Sequence, residues 1–182
     1  MKRLVLLIVV SAAIDLMLCA STVAAPIIWD GPLTTFTKEI GSDPSDPANQ
    51  DSITDTIKFT RSLYGQIYNI AQQSELPRYD PGLWSVAGTL WALGDLADWA
   101  SLTFVEFGNV DDYGNMGRMV YSYGNPPVVV HLIDEDIYFQ LNWNWWSVGN
   151  PNTAANLGAP WHDWENGEFA GFGYTRSTAN PI

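Results

Sequence analysis

Acidic and amide side chains are concentrated between Ile40 and Asp51, in the segment IGSDPSDPANQD. Calcium in proteins takes about six to eight oxygen ligands, which carboxylates, amides and backbone carbonyls on a turning loop can supply. The spacing is not that of an EF-hand, because the D-x-D-x-D-G core and the closing Glu are missing. The alternative is a surface loop whose Asp and Asn side chains bond to their own backbone. The predicted ligands of the calcium site are Asp43, Asp46, Asn49 and Asp51.

A second group of carboxylates is Asp134-Glu135-Asp136, with Asp111 and Asp112 as possible neighbours. Retaining glycosidases place two carboxylates on either side of the bond they cleave, one as nucleophile and one as acid. Strand alternation puts Asp134 and Asp136 on one face, but the third acid of such a strand is missing. A solvated hairpin turn is therefore the favoured interpretation, and a glycoside hydrolase is the third choice of function.

Aromatic side chains form the third candidate site, because five of the nine Trp lie between 143 and 164. Alternation predicts that Trp143 and Trp145 face the core and that Trp146 lies on the opposite face. Rings beside amides suit sugars, since a ring stacks on the apolar sugar face while amides bond hydroxyls. The alternative is a covering layer formed by the loop that follows. The candidate ligand-binding residues are Tyr138, Asn142, Asn144, Trp146, Trp161 and Trp164.

His131 and His162 are the only histidines, and no H-x-x-x-H or Cys spacing supports a zinc site that uses both. His131 lies within an apolar run, which indicates a partly covered, hydrogen-bonded ring. The chain also lacks a Ser-His-Asp signature, a G-x-S-x-G elbow, a phosphate-binding loop and a dinucleotide fingerprint. No catalytic residue is assigned from the sequence.

The elements that position these residues are two predicted strands joined by the acidic turn. Val128–Ile133 is a β-branched apolar run, and Ile137–Trp146 alternates apolar and polar residues. We expect the two strands to pair antiparallel in the middle of a sheet, with Asn142 and Asn144 away from the core. A shift of register by one residue would reverse this pattern of burial.

Further short strands are predicted at Leu33–Glu39, Ile53–Arg61 and Phe169–Arg176. Turn signals separate them, and no convincing long helix is present. The predicted fold is therefore all-β, a single-domain antiparallel β-sandwich of jelly-roll-like character with long loops. The long loop Ser147–Asn166 carries two Trp, and we expect at least one of them to pack against the domain.

The first 25 residues read as a secretory signal, so a secreted or periplasmic location is predicted. Lys2 and Arg3 precede the apolar run Leu4–Leu18, which is too short for a stable membrane anchor, and small residues end at Ala25. The sandwich domain is then 26–182. Cys19 would leave with the signal, so no disulfide stabilises this domain.

The net charge of the whole chain is −12. An acidic surface repels nucleic acid and anionic lipid, so neither is expected as a partner.

The segments FTK, DPANQDSIT, FTR, AGTLWALG, HLIDEDIY and FGYTRST are spread over most of Trp29–Thr178. They resemble a family of secreted bacterial proteins of uncharacterised activity. The resemblance implies an extracellular protein but no chemistry. Family members often end in a hydrophobic sorting tail, which this sequence does not show before Ile182, so surface anchoring of that kind is not expected.

The sequence thus predicts a secreted, non-catalytic structural or binding domain, with an extracellular glycan or cell-surface component as partner. The alternative is a carbohydrate-binding module supported by Ca²⁺. A glycoside hydrolase acting through Asp134, Glu135 or Asp136 is the third hypothesis.

Overall fold

The computed structural model describes residues 24–63, 66–74, 85–110, 120 and 124–181. Most of the predicted signal segment, and the acids Asp111 and Asp112, lie outside these residues. The prediction of an all-β fold is confirmed, because strands dominate the described secondary structure. The described strands are β1 Ile27–Trp29, β2 Leu33–Lys38, β3 Asp51–Ser52, β4 Lys58–Arg61, β5 Ile67–Asn69, β6 Thr89–Leu93, β7 Val128–Leu132, β8 Ile137–Trp146 and β9 Phe172–Ser177.

Helical structure in the described part is short. One α-helix, α1, spans Pro151–Leu157, and 3-10 turns occupy Pro47–Asn49, Leu96–Ser101, Phe107–Asn109 and Trp164–Asn166. Among the described residues, no helix has the length and apolar character needed to cross a membrane.

The larger sheet has the order β2-β9-β8-β7-β6, and β7 and β8 pair antiparallel as predicted. At ten residues, β8 is long enough for two strands to share one of its edges. β9 pairs antiparallel with its second half, while β1 pairs parallel with Ile137–Phe139. The predicted central hairpin is therefore the middle of this sheet.

The smaller sheet has the order β3-β4-β5, and its apolar side packs against the inner face of the larger sheet. Phe59 of β4 contacts Trp91 of β6, with ring centroids 5.7 Å apart. Inner-face residues of β7 and β8 complete the core. These are Val128, Val130, Leu132, Phe139, Leu141 and Trp143.

A β-bulge at Asn144 reverses the predicted orientation of the last two Trp of β8. Trp143 pairs with Tyr174 and Trp145 with Gly173, so one extra residue separates them on β8. An inserted residue moves every later side chain to the other face. Trp146 is consequently in the core, 3% exposed, and Trp145 lies on the outer face. The prediction that Trp145 faces inward and Trp146 outward is wrong for this reason.

Gly173 of β9 and Gly171 just before it make room for the Trp145 ring, as their position opposite aromatic residues suggests. A Cβ at Gly173 would meet the Trp145 indole at its Nε1 and Cδ1 atoms. Gly173→Ala is therefore expected to lower the free energy of unfolding by about 1–3 kcal/mol, measured by urea denaturation. The same substitution in a Trp145→Ala background should cost much less. An equal cost in both backgrounds would show that the ring is not the obstacle.

A buried polar network joins the two sheets. The Asp51 carboxylate of β3 accepts from Arg176 Nε at 2.7 Å, from Arg176 Nη2 at 2.9 Å and from the Tyr174 hydroxyl at 2.7 Å. Burial, and then the Asp51 charge, raises the pKa of Tyr174 well above its ordinary value. Asp51 is therefore an internal acceptor that connects β3 to β9.

The long loop 147–166 is more ordered than its composition predicts. Asn150 caps α1 by accepting from the backbone of Asn152 and Thr153, Pro151 opens the helix, and Gly158 ends it in the left-handed region. After α1 the chain turns back toward the end of β8, where the His162 backbone N–H donates to the Val148 carbonyl.

Two buried bases, Lys38 and Arg61, and the His162 side chain hydrogen-bond this part of the chain to the rest of the domain. Lys38 Nζ donates to the Ala170 carbonyl at 2.8 Å, and Arg61 Nη1 donates to the Gly171 carbonyl at 2.6 Å. Burial, and then Arg61, lowers the pKa of Lys38 to about 8. Charged donors to buried carbonyls make stronger hydrogen bonds than neutral ones, so they fix the loop ends.

Candidate functional site

The outer face of the larger sheet carries a group of four contacting rings near the β7–β8 turn, here called the ring cluster: Trp99, Phe104, His131 and Tyr138. The His131 and Tyr138 rings are parallel at 5°, with centroids 4.1 Å apart. Trp99 lies 4.6 Å and Phe104 5.4 Å from the Tyr138 centroid. All four side chains are partly exposed. The cluster therefore presents ring edges and faces to solvent on a rigid sheet.

Gln140 of β8 holds the short helix that carries Trp99. Its side-chain oxygen accepts from the Leu96 backbone at 2.7 Å, and its Nε2 donates to the Val128 carbonyl at 2.8 Å. The helix Leu96–Ser101 is thereby fixed over the outer face. Because the amide of Gln140 is fully used in this way, it positions the ring cluster rather than facing a ligand.

Asp136 supplies the polar group beside the rings. Its Oδ1 lies 3.0 Å from His131 Nε2, and its backbone adopts a φ of 51° in the hairpin turn. Partial burial, and then the Asp136 charge, raises the pKa of Tyr138. The arrangement places a carboxylate at the edge of an aromatic surface.

Of the residues predicted to bind a ligand, Tyr138 belongs to the ring cluster. Asn142 and Asn144 follow Tyr138 along the outer face of β8, and Asn144 Nδ2 donates to Thr175 Oγ1 at 3.2 Å. Trp146 is not on this face. Its ring lies under the Arg61 guanidinium, with the carbon 3.7 Å from the ring centroid, inside the core.

The two loop Trp have different environments. The Trp164 indole donates to the Gly149 carbonyl and packs on that glycine, so it is partly buried. The Trp161 side chain is 46% exposed, and its backbone forms an isolated parallel β-bridge with Val148. That at least one of them packs against the rest of the domain stays a prediction, because the contacts described for Trp164 are with Gly149 of the same loop. Trp161 remains an exposed ring away from the ring cluster's four members.

The acidic side chains of the segment 40–51 hydrogen-bond to separate partners and not around one shared ion position. Asp43 Oδ1 accepts from the Ser45 backbone and hydroxyl, both at 2.8 Å, and Asp46 caps the turn at Ala48. Asn49 donates to the Asp43 carbonyl. Asp51 is directed into the core toward Arg176. No group of three or more His, Cys, Asp or Glu in the described part of the chain is placed to hold a metal.

The carboxylates of the β7–β8 turn have separate partners. Glu135 accepts from the Thr54 hydroxyl at 3.0 Å and from Thr56, both in the turn before β4. Asp136 contacts His131 on the outer face of the larger sheet. Glu135 therefore connects the two sheets, while Asp136 borders the ring cluster. The two carboxylates do not face each other across a cleft.

Sequence reasoning missed Trp99 and Phe104 as members of the site. Trp99 lies in Leu93–Trp99, which reads as a turn with at most a short helical piece. Phe104 lies in Leu102–Phe107, which reads as a strand but forms only an isolated bridge at Val105. The available signal is the polar face of β8, where an aromatic Tyr138 needs apolar neighbours that its own strand does not provide. Comparison of the chain with protein-family models, with curated proteins and with solved structures finds no match.

Proposed function

We propose that the protein is a secreted, non-catalytic domain that binds an extracellular glycan on the ring cluster. The observation that carries the proposal is the pair of partly exposed rings, Trp99 of the short helix and Tyr138 of β8, whose centroids lie 4.6 Å apart on the outer face of the larger sheet. Sugar rings stack on such surfaces, and neighbouring polar groups fix their hydroxyls. Asp136 is the polar group best placed for this role.

The secretory signal supports the extracellular part of the proposal. Cleavage after Ala25 would leave β1, which begins at Ile27, intact for its pairing with β8. The separation of Glu135 from Asp136 supports a binding function over a hydrolytic one, because retaining hydrolysis needs two facing carboxylates. Calcium binding in the Asp43–Asp51 loop stays a prediction, which is tested by whether added calcium raises the melting temperature.

Trp99→Ala is expected to weaken glycan binding, because it removes one of the two rings on which the proposal depends. Loss of a large apolar contact surface costs about 1.5–3 kcal/mol, or roughly tenfold to a hundredfold in Kd. The measurement is a glycan-array screen of the mature protein with and without calcium, followed by calorimetric titration of the glycans that bind.

Trp161→Ala is the matched control, since it removes an exposed Trp from the loop between β8 and β9. Binding through the ring cluster predicts an unchanged Kd for this variant. If Trp161→Ala abolishes binding and Trp99→Ala does not, the ligand lies on the loop and the proposed site is wrong. A calcium requirement would identify an ion as part of the site.

A further inference from the structure

We infer that the glycan is an extended chain of uncharged sugars that runs along β8 from the ring cluster to a second aromatic contact, Trp145. This inference rests on the proposed function, whose ligand and second contact residue it specifies. A single sugar ring cannot reach two separated aromatic side chains, so two such contacts on one sheet face suit a polymer. Three features of the outer face support this ligand.

The first feature is the way the backbone supports Trp145. A Cβ at Gly171 would meet the six-membered ring of the indole at Cη2, and a Cβ at Gly173 would meet the five-membered ring at Nε1 and Cδ1. The two glycines therefore lie against both ends of the indole, while the side chain stays partly exposed. A ring that is fixed before binding loses little conformational entropy when a ligand packs on it.

The second feature is the distance between the two aromatic contacts. Tyr138 of the ring cluster and Trp145 lie on the outer face of the same strand, and the bulge removes one residue from the path between them. At about 3.3 Å per residue, they are roughly 20 Å apart. A disaccharide is shorter than this, so only a longer chain reaches both. Because the path follows one strand, it suits an extended chain better than a coiled one.

The third feature is the chemistry of the path between the rings. The outward side chains of β8 there are the amides Gln140, Asn142 and Asn144. Asn142 is partly exposed, and its amide makes no hydrogen bond to another described residue. Asn144 is exposed and donates to Thr175 Oγ1, which also lies 3.0 Å from Thr35 Oγ1. Uncharged amides and hydroxyls are suitable partners for sugar hydroxyls.

The experiment is calorimetric titration of the mature protein with glucose oligomers. Cellobiose and cellohexaose are β-linked and extended, whereas maltohexaose is α-linked and coiled. We expect cellohexaose to bind about tenfold to a hundredfold tighter than cellobiose, because only the longer chain reaches both contacts. Maltohexaose should bind more weakly than cellohexaose, although the two have equal length. A Kd that does not depend on chain length would overturn the inference.

Trp145→Ala separates the second contact from the first. We expect this variant to bind cellohexaose with nearly the Kd of cellobiose, and to bind cellobiose like the unchanged protein. Trp99→Ala should weaken both ligands, because both contact the ring cluster. Trp161→Ala, which removes an exposed Trp from the loop 147–166, should change neither Kd.

Asn142→Ala keeps the test decisive if Trp145→Ala does not fold. The Asn142 side chain is partly exposed, so its truncation should leave the melting temperature nearly unchanged. It should weaken cellohexaose and not cellobiose. The inference is wrong if the folded variants at both positions bind cellohexaose normally. It is also wrong if Trp161→Ala alone weakens cellohexaose, because the chain would then run over the loop.

Failure of the inference and failure of the proposed function give different results. If cellobiose and cellohexaose bind equally and both depend on Trp99, the inference fails and the proposed function stands. A glycan array that yields only charged or branched ligands has the same meaning. If it yields a different uncharged linear glycan, the disaccharide and hexasaccharide of that glycan take the place of the glucose oligomers, with the same expected results. If no glycan binds, both fail.

Discussion

Asp51→Asn is expected to lower the free energy of unfolding by about 3–5 kcal/mol, because it leaves the Arg176 guanidinium without its carboxylate in the interior. Arg176 donates twice to Asp51, and Tyr174 donates a third hydrogen bond to the same carboxylate. Breaking one partner of a buried pair costs more than the pair contributes, since the remaining charge stays desolvated. Chemical denaturation of the mature protein measures this loss.

Two controls define the Asp51 result. Asp43→Asn removes the same charge from an exposed turn and should change the free energy of unfolding by less than about 0.5 kcal/mol. Replacing Asp51 by Leu together with Arg176 by Met removes both charges, and it should recover part of the loss, because the buried Tyr174 hydroxyl still lacks its acceptor. A loss below about 1 kcal/mol for Asp51→Asn would contradict the proposed role of the network.

The free energy of unfolding is also expected to fall by roughly 3 kcal/mol between pH 6.5 and pH 4 because of His162 alone. Burial, and then the Arg61 charge, lowers the pKa of His162 to about 4 from an ordinary 6.5. The folded state then binds fewer protons than the unfolded state in this window. Stability from this residue is therefore complete above pH 6.5 and is lost as the pH falls toward 4.

The physical basis is the orientation of the His162 ring. Its Nε2 lies 3.1 Å from the Leu63 carbonyl, which can only accept, so Nε2 carries the hydrogen. Protonation must then occur at Nδ1, which is buried and has no partner within the described residues. Arg61 and Lys38 oppose the added charge, while Glu168 favours it.

His162→Gln isolates this contribution, because the amide can still donate to Leu63 but does not titrate. We expect the variant to have a flatter dependence of stability on pH between 4 and 6.5 than the unchanged protein, measured by denaturation at each pH. Carboxylates titrate in both proteins, so the difference between the two profiles belongs to His162. Identical profiles would show that another group controls the acid sensitivity.

The parts of this fold that local pattern determines were predictable. Alternation in Ile137–Trp143 and the β-branched run of β7 correctly predict the central hairpin and the burial of Trp143. The pattern fails at Asn144, because NWNWW allows either of two registers and only the partner strand β9 selects one. A bulge depends on contacts between distant segments, so alternation within one strand cannot reveal it.

Buried bases are the second feature that the sequence could not show. Lys38 and Arg61 each end a short strand, two residues after Phe36 and Phe59, so alternation places them on the inner face while their charge favours exposure. They are buried because the backbone carbonyls of Ala170 and Gly171 accept their hydrogen bonds. The same holds for the ring cluster, where Trp99 comes from a segment with no clear periodicity. Partners that are distant in the chain cannot be identified from the local sequence pattern.

The shared edge of β8 has a consequence for how the chain reaches this structure. Ile27 pairs with Ile137, and Leu33 pairs with Ser177, so the first strands find their partners more than a hundred residues later. Proteins dominated by such distant pairings have high contact order and fold slowly. The early strands must wait until the last ones have been synthesised. A chain that ended before β9 would therefore leave β2 and the second half of β8 without their partner strand.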